Sequence, residues 1–160
     1  MEYREITPDI QDAVTDIVGS IIVSRGRVHH IERCAGFVAM ADGDIRGVIT
    51  YSFSQSECEI VSLDSKTKGQ GIGSKLIELV IQKAEGQGSK RVWLITSNDN
   101  TRAIRFYQRR GFDLRAIHYD AITEARKLKP SIPLHGYDHI PVRHEIEFEY
   151  ALRDLITVET

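Results

Sequence analysis

The segment Lys68-Gly69-Gln70-Gly71-Ile72-Gly73-Ser74 has the residue types to hold an anion. It lies between an apolar run ending near Leu63 and a helical repeat beginning near Ile72. Glycine lets the backbone turn tightly there and brings its N–H groups to an anion with no side chain in the way. Those donors and the positive end of the helix dipole form a cradle for a pyrophosphate, and Lys68 adds positive charge at its rim. Glycines at such a turn can also serve packing alone. A nucleoside-triphosphate loop requires Gly-Lys-Ser/Thr, whereas Gly73-Ser74-Lys75 has the order wrong. A dinucleotide fingerprint fails too, because the third glycine of Gly69-x-Gly71-x-Gly73 comes one position early and follows an antiparallel region.

Other residues carry reactive groups. Glu57 and Glu59 are two apart on the run that leads into Leu63, so their carboxylates point to one side of a sheet. Tyr107 sits in an aromatic pair inside the block Asn100 to Phe112. Cys34 and Cys58 read as two free thiols, since a chain with no export signal is expected in a reducing compartment where structural disulfides are rare. His135, His139 and His144 would have metal spacing only on a helix, and Pro133, Gly136 and Pro141 argue against one, so no metal site is expected.

The elements that must position these groups follow from periodicity. Ile10, Val14, Ile17, Val18, Ile21 and Ile22 recur at spacings of three and four, which predicts a helix over 8–25, capped by Thr7 with Pro8 in its first turn. Phe37 to Met40, Ile45 to Phe53 and Ile60 to Leu63 predict three antiparallel strands, with Asp42-Gly43 as a hairpin turn. Ile72, Leu76, Leu79, Val80 and Ala84 predict a helix that ends at Gly86. Val92-Trp93-Leu94-Ile95 is apolar on both faces, as in a central strand. Asn98 or Asp99 is expected to cap a helix carrying Ala103, Phe106, Tyr107 and Arg110 and stopping at Gly111. A strand over 112–119, a short helix over 122–128 and an irregular stretch over 130–141 follow. Ile146, Phe148 and Tyr150 then alternate with Glu145, Glu147 and Glu149 as in a half-exposed strand.

Two blocks in this order resemble the GNAT superfamily of acyl-CoA-dependent N-acyltransferases. Lys68-Gly69-Gln70-Gly71-Ile72-Gly73 is similar to its phosphate motif Gln/Arg-x-x-Gly-x-Gly/Ala, with lysine where glutamine or arginine is usual. Asn100-Thr101-Arg102-Ala103-Ile104-Arg105-Phe106-Tyr107-Gln108-Arg109-Arg110-Gly111-Phe112 is similar to its Asn-x-x-Ala-x-x-Phe-Tyr-x-x-x-Gly-Phe block. The resemblance runs from about Glu2 to Phe112 in element order, plus a final strand. It implies an α/β (α+β) fold with a mixed, mostly antiparallel sheet of six to seven strands, helices on both faces and a splayed strand pair at the acyl-CoA site.

For function it implies an N-acetyltransferase that moves the acetyl group of acetyl-CoA to a primary amine by direct attack in a ternary complex. Leu63, with Ser62 and Asp64 beside it, supplies the backbone N–H for the thioester oxygen. Lys68, Gly69, Gln70, Gly71, Ile72, Gly73 and Ser74 hold the pyrophosphate, and Asn100 and Ala103 line the pantetheine arm. Tyr107 matches the general acid, and a phenol of pKa about 10 can protonate a thiolate whose parent thiol lies near about 8.5. Glu59 is chosen as general base because it lies nearer the oxyanion donor than Glu57, solvated strand carboxylates being the alternative reading of both. A non-catalytic acetyl-CoA sensor would carry the same binding motifs.

The whole chain of 160 residues reads as one domain. Its net charge of −2 gives no general attraction to nucleic acid or to a membrane surface. Met1 to Glu5 lack the order of a secretory signal, and no apolar run approaches the ~20 residues of a membrane span, so a cytoplasmic location is expected. The acceptor is expected to be a small-molecule amine, since no extended charged patch marks a macromolecular partner. The resemblance implies that residues 24–34 and 129–143 select it, with His118, Tyr119, His135, Tyr137 and Asp138 as candidate contacts. The resemblance allows a homodimer paired through the last strand.

Overall fold

The computed structural model describes residues 1–67 and 69–152, so Lys68 of the glycine turn lies outside the described residues. β1 (Glu2–Glu5) leads through a 3-10 turn (Pro8–Ile10) into α1 (Gln11–Val18), and β2 (Ile21–Ser24) and β3 (Arg27–His30) form a hairpin. β4 (Ala35–Ala41), β5 (Asp44–Ser54) and β6 (Glu57–Ser65) follow, then α2 (Ile72–Gly86) and β7 (Arg91–Ser97). α3 (Thr101–Arg109), β8 (Asp113–His118), α4 (Ala121–Leu128) and β9 (Glu145–Ala151) complete the described chain. Seven strands make one sheet in the order β1-β4-β5-β6-β7-β9-β8, and β2–β3 make a second. The pairs β1–β4, β4–β5, β5–β6 and β8–β9 are antiparallel, giving the mostly antiparallel α/β architecture expected.

The chain divides into two compact units. The first comprises residues 1–22 and 29–92 with Ala151 and Leu152; the second comprises 23–28 and 93–150. In the first, Val14 of α1 packs with Ile31, Val38, Ile45, Val48 and Val61, while Ile72 and Leu76 of α2 lie over Gly47. Gly47 and Val48 are adjacent in β5 and so face opposite sides, which places the two helices on opposite faces of the sheet. In the second, Tyr107 meets Phe112 edge to face at 5.6 Å and lies 6.0 Å from Phe148, an aromatic core joining α3 to β9.

Four local expectations are corrected. The first helix stops at Val18 instead of Arg25, because Gly19 has φ +101 and Arg25-Gly26, both with positive φ, close the β2–β3 hairpin. Ile21 and Ile22, β-branched and compatible with either period, belong to that hairpin, and Thr7 makes no side-chain cap. Gly86 remains helical, and the stop comes at Gly88, with the Gly88 N–H bonded to the Glu85 carbonyl and the Ser89 N–H to that of Ala84. Glu145 is buried rather than outward-facing, its carboxylate covered by the Arg25 backbone N–H and guanidinium that donate to it.

Glycine at 47 is what lets α2 approach β5. A Cβ there would stand 2.6 Å from Ile72 Cγ2 and 3.1 Å from Leu76 Cδ1. Gly47→Ala is expected to cost about 1–3 kcal/mol in chemical denaturation, as overpacking does. Gly86→Ala, where a Cβ meets nothing within 4 Å, is expected to gain up to about 1 kcal/mol in the same assay.

Candidate active site

The glycine turn belongs to the first unit. Gly69 has φ +81 and Gly71 φ +73, conformations an L side chain enters at a cost of roughly 1–2 kcal/mol. Gly71 is the N-cap of α2, and among the described residues no side chain caps the helix. The first helical bond runs from the Lys75 N–H to the Gly71 carbonyl, so the N–H groups of Ile72, Gly73 and Ser74 precede it. No acidic residue occupies the first turn, leaving its positive potential uncancelled. Ile72 is anchored by burial of its side chain, while Gly69, Gln70 and Gly71 are exposed.

β6, which leads to this turn, carries a bulge. Thr50 pairs with Ser62 but Tyr51 pairs with Ile60, so Val61 is an extra residue. The bulge resets the alternation of side chains. Glu57, Glu59, Ser62 and Asp64 pair with Ser54, Ser52, Thr50 and Val48, which share one face of β5. Simple alternation would have put Leu63 with Glu59; instead Leu63 pairs with Ile49 on the opposite face. The Ser62 and Thr50 hydroxyls share a hydrogen bond of 2.5 Å. Burial pushes the Asp64 carboxyl above the ordinary carboxylate range.

Glu59 and Glu57 have different surroundings despite their shared face. Glu57 is partly exposed and pairs with Arg91 at 3.2 Å. Glu59 is buried, its Oε1 3.1 Å from Nε2 of His29, the only buried residue of β3. The ring N–H is poorly aligned with that oxygen, so the contact is a close approach and not a well-formed hydrogen bond. His29 is the residue that sequence reasoning missed. Its signal was Arg25-Gly26, a two-residue hairpin turn just beyond an apolar repeat of helical spacing that ends at Ile22.

The block Asn100 to Phe112 lies in the second unit and is held by its own ends. Asn100, rather than Asn98 or Asp99, caps α3, its Oδ1 accepting the Ala103 N–H at 3.1 Å. Asn98 and Asp99 are committed elsewhere. Asn98 Oδ1 accepts the N–H groups of Arg143 and His144 at 2.9 Å each, and Asp99 Oδ2 accepts that of Tyr137 at 3.2 Å. At the other end Gly111 has φ +89, and the Phe112 N–H bonds back to the Tyr107 carbonyl at 3.1 Å. Phe-Tyr-x-x-x-Gly-Phe is therefore a helix stop whose two aromatic rings pack together, and it fixes a buried Tyr107.

The loop between α4 and β9 is tied to the same unit. Tyr119 stacks on His144 at 4.6 Å, and the Arg143 guanidinium donates to Asp120 and to the Tyr119 hydroxyl. His118 lies 2.9 Å from Glu147. Arg25 of the β2–β3 turn donates its backbone N–H and its guanidinium to the buried Glu145. Among the described residues no group of three or more His, Cys, Asp or Glu side chains could hold a metal, and no helix is long and apolar enough to cross a membrane.

A family model for the acetyltransferase (GNAT) family matches residues 8–112. The chain belongs to that family. It is 45% identical over 118 residues to the uncharacterized protein YdhI of Bacillus subtilis (strain 168), covering 73% of this chain and 74% of that one. It is 35% identical over 81 residues to streptothricin acetyltransferase of Streptomyces lavendulae, covering 48% of this chain and 43% of the relative. Its fold is similar to that of a GNAT family acetyltransferase from Elizabethkingia anophelis with acetyl-CoA bound, at a TM-score of 0.71 and 17% identity over 94% of this chain and 97% of the other.

The GNAT family span of 8–112 includes the glycine turn, the β6 carboxylates, His29 and the Tyr107 block. Asp64 offers a test of the β6 face through pH. A carboxyl raised above its unfolded value near about 3.9 keeps a proton that the unfolded chain releases, so its ionised form destabilises the fold at neutral pH. Asp64→Asn is expected to raise the melting temperature at neutral pH. That gain should fade as the pH falls toward the unfolded value, where both states are protonated.

Proposed function

We propose that this chain moves the acetyl group of acetyl-CoA to a primary amine of a small molecule, by direct attack of the amine in a ternary complex. The observation that carries the reading is the helix start at Gly71. Positive φ at Gly69 and Gly71, a glycine at the N-cap and no acid in the first turn suit a diphosphate held by main-chain N–H groups. In this reading Gly69, Gln70, Gly71, Ile72, Gly73 and Ser74 bind that diphosphate with Lys68 beside them. Asn100 and Ala103 line the pantetheine arm. The acetyl-CoA bound to a protein of the same fold and the family membership support the choice of co-substrate. A relative named streptothricin acetyltransferase supports a small-molecule acceptor.

The reaction needs three things from the protein: a donor for the oxyanion, a sink for the amine proton and a proton for the leaving thiolate. Main-chain N–H at Leu63, flanked by Ser62 and Asp64, serves the first. The Glu59 carboxylate anchors the second. Tyr107 serves the third, its phenol being acidic enough to protonate a thiolate and its ring fixed by Phe112 and Phe148. The chain works in the cytoplasm, where acetyl-CoA is made available to such enzymes, and it acts alone or as a homodimer.

Release of free CoA thiol from acetyl-CoA across a panel of amines tests the reading. Tyr107→Phe keeps the aromatic packing and removes only the hydroxyl, so kcat should fall about 100-fold or more with KM for acetyl-CoA little changed. Turnover of Tyr107→Phe at the wild-type rate would remove the tyrosine from the chemistry.

A further inference from the structure

His29 and Glu59 form a buried pair inside the first unit, on a hairpin strand and on β6. Both side chains are more than nine-tenths buried, at 7% and 5% exposure. Taking an imidazole and a carboxylate out of water is costly, and an apolar pair of similar volume would fill the same space without that cost. Such a pair is more useful to chemistry than to stability. One ring nitrogen, Nε2, faces Glu59 Oε1 at 3.1 Å without a well-formed hydrogen bond, and Nδ1 is the nitrogen on the far side of the imidazole ring from that carboxylate.

We propose that His29 is the group that takes the proton from the acceptor ammonium, and that Glu59 is the positioning residue that holds the ring and balances its charge; the assignment rests on the acetyltransfer reading above. Glu59 lies on the bulged strand that continues to Leu63, on the same face as Ser62 and Asp64. The two groups differ as proton acceptors. An imidazole is intrinsically a stronger base than a carboxylate, which suits it to take a proton from an ammonium.

Two thiols lie close enough to feel the Glu59 charge, and both stay protonated near neutral pH. Burial and then the Glu59 charge raise the Cys34 thiol, and the same causes in the same order push the Cys58 thiol up to about 12. Arg27 and His30 on β3 are exposed to solvent.

The step balances. An N–H bond of the ammonium breaks and its proton passes to Nδ1 of neutral His29, leaving the nitrogen lone pair free. That lone pair forms the C–N bond at the thioester carbonyl. The C–S bond then breaks with its electron pair on sulfur, which takes the Tyr107 phenol proton. The tyrosinate recovers a proton from the new amide nitrogen, and the His29 imidazolium returns its proton to solvent.

The experiment follows CoA thiol release by the full chain with streptothricin, kanamycin, spermidine and lysine, from about pH 6 to about pH 9.5. Wild type, His29→Asn, His29→Gln and Glu59→Gln are compared, with acetyl-CoA affinity measured by calorimetry on each preparation. Both His29 variants should bind acetyl-CoA as wild type does and lose about 100-fold or more in kcat near neutral pH. The loss should shrink as the pH passes the amine's own pKa, because the acceptor then arrives neutral. Glu59→Gln should lower kcat with KM for acetyl-CoA unchanged and shift the pH profile. If wild type acetylates an amine and either His29 variant binds acetyl-CoA and matches it within about threefold at every pH, the His29 assignment alone is overturned. If wild type binds acetyl-CoA but acetylates none of the four, the acetyltransfer reading falls and this assignment with it.

Discussion

A glycine at the N-cap has no side chain of its own with which to cap a helix, and α2 begins on Gly71 at φ +73. The local geometry around it depends on that constraint. Ile72, the first helical residue, is pinned by burial against β5, and the missing Cβ of Gly47 makes room for it. The direction in which the next N–H groups point is thus set by apolar packing on one side and by glycine stereochemistry on the other. Neither contribution depends on a ligand being present. The result is a turn whose electrostatic preference for an anion is built into the main chain.

β6 solves a different problem. It must bring a run of chemically distinct side chains to one face while continuing to pair with β5, and the extra residue Val61 allows both. Val61 itself joins the core with Val14 and Val48, so the bulge is held by burial. Glu59, Ser62 and Asp64 then share a face, and each has a different environment: an imidazole beside Glu59, the Thr50 hydroxyl on Ser62 and desolvation at Asp64. The β2–β3 hairpin supplies that imidazole. Its tip is fastened by the bonds from Arg25 to Glu145, within the second unit.

The sequence was most informative where one residue type answers one physical demand. Gly69, Gly71 and Gly111 all adopt positive φ, and the periodic residues Ile72, Leu76, Val80 and Ala84 are buried as their spacing implied. It was least informative where two solutions satisfy the same pattern. Ile21 and Ile22 fit the helical spacing set by Ile17 and Val18, and only Gly19 and the Arg25-Gly26 turn separate helix from hairpin. The missed hairpin concealed His29. Three neighbouring cap formers, Asn98, Asp99 and Asn100, were indistinguishable until the loop 129–143 claimed two of them. The bulge at Val61 has no glycine to mark it, and the alternation of Glu145 with Ile146 gives no sign that Arg25, 120 residues earlier, covers that carboxylate.

The most direct test of the account is an amide titration by two-dimensional NMR, with 15N-labelled full-length chain and increasing CoA. If main-chain N–H groups at the start of α2 grip the diphosphate, the amide resonances of Gly71 to Ser74 should show the largest shifts, with downfield proton changes as they donate to phosphate. Saturable CoA binding that leaves those amides in place and moves resonances elsewhere would contradict it.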